Sequence, residues 1–117
     1  MVINQILESK EKIENANEAF KNRVYSGAIY YAYQSLVNTA KAMLLADKKK
    51  TNTHASIISQ FDEVFVTSKK IDIGISFSEL IYQINKYAPS KEFAEIYIKN
   101  STKFLQKVRA YRTAETN

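Results

Sequence analysis

The chain has 117 residues, 17 Lys and Arg against 12 Asp and Glu, one His and no Cys. That length suits one domain with a single core and excludes a multidomain enzyme or a full dinucleotide-binding unit. The missing Cys excludes disulfides, thiolate metal sites and Cys nucleophiles, and one His leaves little for zinc. Only 2 Gly and 1 Pro are present, against the turn chemistry an all-β fold needs. The net charge of +5 permits an acidic partner without demanding one. The first residues carry no secretory h-region, and no apolar run approaches a membrane span, so a cytoplasmic protein with no membrane partner is expected. A place for the chain as one domain of a longer protein stays open.

The first predicted helix covers about residues 2–23. Ile3, Ile6, Ile13, Ala16, Phe20 and Val24 recur at mostly helical spacing, opposite a charged face that includes Glu8, Lys10, Glu11 and Lys12. Asn22, Ser26 and Gly27 form a weak break. The second helix, about 26–47, is apolar nearly all round and uncharged from Val24 to Ala40. Such a helix belongs in the middle of a bundle. Ala28, Ala32, Ser35 and Ala40 are small enough for close helix approach.

A third helix starts at Thr53 as N-cap and carries Ile57, Ile58, Phe61, Val64 and Phe65 inward, closing at Ser68-Lys69-Lys70. Ser76-Phe77-Ser78-Glu79 reads as a capping box opening a fourth helix, which Pro89 ends near Tyr87. Ser90 opens a fifth, with Ala94, Tyr97, Ile98, Phe104, Leu105 and Val108 inward. Four to five helices with short links predict an all-α, up-and-down antiparallel helical bundle over residues 1–117.

The stretch 25–45, YSGAIYYAYQSLVNTAKAMLL, and the stretch 53–72 that follows resemble the small bacterial HEPN domains. Tyr25, Ala28, Ala32, Tyr33, Ala40, Ala42 and Leu44, then Thr53, His54, Phe61, Phe65 and Val66, fall on that pattern. The resemblance covers about residues 15–110. It implies a helical bundle, pairing about a two-fold axis, and contact with nucleotide or RNA. It also implies partners of the nucleotidyltransferase type, or a place as an accessory domain of a larger enzyme such as a sulfite or nitrite reductase-like chain. Active members resemble one another in an Arg-x4–6-His motif on a late helix, where Arg holds a phosphate and His moves the proton for attack by a 2′-hydroxyl. This chain departs from that motif: no Arg lies between Arg23 and Arg109, and no His follows His54. The expectation is a non-catalytic binding and oligomerisation module. An RNA-cleaving toxin is the alternative.

The candidate residues follow. His54 is the one imidazole and sits where free N–H groups of a helix start attract anions. A structural side chain is the plainer reading. Lys99, Lys103 and Lys107 fall at i, i+4 and i+8 and form a basic ridge, read as continuing to Arg109 and Arg112 and able to track phosphates. A solvated helix face is the plainer reading, and the Lys48-Lys49-Lys50 run is read the same way. Tyr30, Tyr31 and Tyr33 could stack on bases; they point in different directions at about 100° per residue, and core or dimer packing is the plainer reading. Tyr30, Tyr31 and Gln34 are the candidates for a dimer interface. Asp62, Glu63, Glu92 and Glu95 are read as solvent-facing. No catalytic residue, cofactor or metal site is expected.

Overall fold

The computed structural model describes residues 2–47, 49 and 53–116; of these, the side chains of 2–4 and 114–116 are left aside. Helix α1 (Val2–Lys21) pairs antiparallel with α2 (Tyr25–Ala46). The break between them is made at Arg23, not at Gly27. Arg23 adopts a left-handed backbone (φ 64°), its N–H donates to the Phe20 carbonyl, and the Val24 N–H donates to that of Ala19. These are the two bonds that close a helix end around a left-handed residue. Gly27 lies in the first turn of α2. Val24, expected on the apolar face, is 52% exposed because it sits on this corner.

Small residues bring the two helices together. Ala16, Ala28, Ala32 and Ala40 have no exposed surface. Two buried serines join the same seam: the Ser35 hydroxyl donates to the Ser9 carbonyl at 3.0 Å, and Thr39 donates back to the Ser35 carbonyl at 2.8 Å. The periodicity of apolar residues hid Ser9, whose hydroxyl is satisfied by the Gln5 carbonyl one turn earlier. As expected, α2 is central, touching α1 and three further helices.

Helix α3 (His54–Phe61) starts at Thr53, whose hydroxyl accepts from the Ser56 N–H at 3.0 Å. It runs on into a π-helical turn, Asp62–Val66. Helix α4 (Phe77–Lys86) begins at Ser76, which accepts from the Glu79 N–H at 3.0 Å. The expected capping box is half made, because Glu79 meets the Ser76 hydroxyl rather than its N–H. The remaining N–H groups of α4 are served from outside the helix. Asp62, expected in solvent, accepts from the Phe77 N–H (2.5 Å), the Ser78 N–H (2.9 Å) and the Ser78 hydroxyl (2.6 Å). A carboxylate is the favoured partner for the positive end of a helix.

Helix α5 (Lys91–Thr116) starts where Ser90 accepts from the Phe93 N–H at 3.1 Å. Its 26 residues make a rod of about 39 Å at 1.5 Å per residue, matching the 39 Å long dimension of the molecule. It lies along α1 and α2. The core is centred on Phe61, Phe77 and Phe104, whose rings stand 4.8–5.3 Å apart. Among the described residues the fold is an all-α bundle of five helices with no strand. No described helix is long and apolar enough to cross a membrane.

Candidate functional site

His54 meets an aromatic group. The Thr53 cap fixes the start of α3, so His54 is its first helical residue. Tyr33, from the middle of α2, reaches it: the phenol oxygen is 3.3 Å from His54 Nδ1 and the rings are 6.2 Å apart. Which atom donates depends on the imidazole tautomer. Tyr30, one turn before Tyr33, stacks on it at 6.5 Å with an interplanar angle of 17°. Tyr82 comes from α4. Burial first, then the neighbouring Tyr82 and Tyr30 hydroxyls, push the Tyr33 phenol above its ordinary value. Tyr33 is therefore neutral at physiological pH. Beneath it Tyr97 is fully buried, donates to the Ile81 carbonyl at 3.1 Å, and is pushed far up by burial and then by Tyr33.

The outer members of this group are open: Tyr30 is 55% exposed and Tyr82 43%. Tyr82 was missed as a site residue, and Tyr33 was singled out with Tyr30 and Tyr31 but not as a partner of His54. Tyr33 was legible in part, since it lies three residues after Tyr30 on one helix face. Tyr82 was not, because only the tertiary fold brings α4 to α2. Of the expected interface residues, Tyr30 belongs to this aromatic face. Tyr31 turns away towards α1, with Lys12 Nζ 5.7 Å from its ring centre. Gln34 is half-buried, and its buried Oε1 has no hydrogen-bond partner.

The basic candidates divide into two groups. Lys99, Lys103 and Lys107 are exposed along the outer side of α5, opposite Tyr97, Ser101 and Val108 in the core. Lys107 is held, donating to the Asp72 carbonyl at 2.5 Å. Arg109 and Arg112 do not continue the ridge. They line a hollow with Ile6, Leu7 and Lys10 at the α1 side. Helical rotation explains the split: two and five residues past Lys107 amount to about 200° and 140° around the axis. That signal was in the sequence. Tyr111, between the two arginines, packs on Phe65. Phe65 is eleven residues past His54, about 16 Å along a helix. His54 thus stands among tyrosines, while the two arginines line the hollow against α1. Lys48 and Lys50 lie outside the described residues. Among the described residues no three His, Asp or Glu cluster as metal ligands.

Helical stretches in this order, with His54 at a helix start against the Tyr-rich central helix, can be set beside known proteins. The family model "HEPN domain" matches residues 5–112. The chain is also similar to a protein of Methanocaldococcus jannaschii described as "Putative toxin MJ0605", with 27% identity over 110 residues, covering 86% of this chain and 81% of that one. The family match spans nearly the whole bundle, and this chain belongs to the HEPN domain family.

Proposed function

We propose that this HEPN domain works as a binding and self-association module, not as a ribonuclease of the Arg-x4–6-His kind. One observation carries the reading: the single imidazole faces a neutral tyrosine hydroxyl inside an open aromatic face, while Arg109 and Arg112 line a hollow against α1. A transesterifying site needs a cation on the phosphate beside the group that moves the proton. Tyr30 and Tyr82 give the surface rings that pack while their hydroxyls stay at a wet rim. A two-fold pairing would let the same residues serve both sides. Contact with nucleotide or RNA would then be weak, with Kd no tighter than about 10⁻⁴–10⁻⁶ M and steeply salt-dependent. A nucleotidyltransferase-type protein or a longer parent enzyme is the natural further partner of such a module.

The description of the M. jannaschii relative favours a second reading, an RNA-cleaving toxin. One pair of measurements separates the two. Light scattering at micromolar concentration should give about twice the 13.4 kDa chain mass, reverting to monomer in Tyr30→Asp. Purified protein should leave RNA intact without added metal. A monomer at every concentration rejects the self-association. RNA cleavage that disappears in His54→Ala establishes the toxin reading instead.

A further inference from the structure

The lysine ridge on α5 is flanked by two hollows, on a surface distinct from the aromatic face. On one side a hollow of about 540 Å³ is walled by Ile73 and Ile75, floored by Leu80 and Phe104, and edged by Lys103 and Lys107. On the other a hollow of about 390 Å³ is formed by Phe20, Ile98 and Thr102 and edged by Lys99 and Lys103. Lys103 lines both. Seen down α5, Asn100 and Phe104 lie about 60–100° to one side of Lys103, and Thr102 and Ile98 about 100–140° to the other. The apolar hollows therefore straddle a cationic crest. Lys107 borders the larger one, and its bond to the Asp72 carbonyl ties the 71–75 loop to α5. Asp72 itself is occupied, its carboxylate accepting from the Gly74 N–H at 2.9 Å. Glu95 is the carboxylate among the residues lining the smaller hollow.

We infer that this crest and its two hollows form a docking surface for an extended acidic segment of a partner protein, with one apolar side chain in each hollow and acidic residues between them, the middle one facing Lys99 and Lys103. The dimensions agree. Side chains four residues apart on an extended strand point the same way and stand about 13 Å apart, and a helix with its side chains is about 10–12 Å across. The charges agree as well, since cations bordering an apolar pocket select anionic groups beside an apolar anchor. A nucleic acid strand fits the surface less well. Binding of single strands rests on exposed rings on which bases stack. Phe104 is 1% exposed, and Phe20 already packs edge-on against Tyr25.

The test is an NMR titration of the isotope-labelled protein with a five-residue peptide carrying leucine at both ends and three acidic residues between. The expected result is amide shifts confined to the 71–75 loop, Gln83 and the 95–107 part of α5. Lys103→Glu and Ile75→Asp should each weaken binding by about tenfold or more, as loss of a charge-assisted contact or an anchor wall would. Lys41→Glu, an exposed lysine on α2, should leave it unchanged. Self-association should be the same in all three variants, so this surface and the aromatic face stand or fall separately. The inference is overturned if millimolar peptide moves none of these amides. It is overturned equally if a peptide with the acids replaced by their amides binds as well, or if a single-stranded RNA hexamer binds there and the peptide does not.

Discussion

Asp62 ties two helices together through one side chain, so its removal has a calculable cost. In Asp62→Ala the N–H groups of Phe77 and Ser78 lose their acceptor, as does the Ser78 hydroxyl. Loss of a helix cap costs about 0.5–2 kcal/mol, and hydrogen bonds to a charged group contribute about 1.5–3 kcal/mol each net, less where the group stays partly exposed. The site is only partly buried, so water recovers some of this. A net loss of about 2–4 kcal/mol follows. Asp62→Asn keeps an acceptor oxygen but loses the charge that faces the helix end, for a loss of about 1–2 kcal/mol. Urea unfolding reads both. With a slope of about 1–3 kcal/mol per molar, the midpoint of Asp62→Ala should fall by at least about 0.7 M. Glu63→Ala, at the exposed neighbour, should change stability by less than about 0.5 kcal/mol. A midpoint for Asp62→Ala indistinguishable from that of Glu63→Ala would refute the cap.

Two further outcomes follow from the backbone and the buried phenols. Arg23→Gly should raise stability by about 0.5–1 kcal/mol in the same urea assay, because glycine adopts the left-handed conformation at position 23 without a Cβ penalty. A loss there would mean that the Arg23 side chain contributes more than its backbone costs. In an alkaline titration followed by phenolate absorbance, Tyr33 and Tyr97 should ionise after the exposed tyrosines among the 8 present. Their folded values are raised, so their contribution to stability is complete below the unfolded value near 10 and is lost as pH rises beyond it. Tyr97→Phe should soften that alkaline loss while costing about 1 kcal/mol at neutral pH, the value of its bond to the Ile81 carbonyl.

What could be read from the sequence is what local chemistry decides. Thr53, Ser76 and Ser90 mark helix starts because a hydroxyl reaches an N–H two or three residues away, whatever the rest of the chain does. The central position of α2 was legible for a similar reason, since uncharged residues on most of its sides leave no face for water. Asp62 was not legible, because its partners are fifteen and sixteen residues away across the 67–76 loop. Nor was Arg23, since the left-handed residue at a helix end is usually glycine and Gly27 lay close by as the obvious candidate. The aromatic face shows both cases. Tyr30 and Tyr33 share a helix face by spacing alone, whereas His54 and Tyr82 join them only because α3 and α4 fold back on the same side of α2.

The two open surfaces draw on different parts of the chain, and this bears on how the domain can act. The aromatic face is built from the middle of α2 and the first residue of α3, with Tyr82 from α4. The lysine crest is built from the outer side of α5 and the loop that Lys107 holds. Neither shares a side chain with the other, and each stands on buried residues that fix it: Tyr97 under the first, Phe104 under the second. A copy of the chain can therefore cover the tyrosines while the crest stays open to a different partner. The imidazole lies in the aromatic face, the lysines on the crest and the arginines in the hollow against α1. On the proposed reading, that distribution would let one domain hold a second copy and a further partner at once.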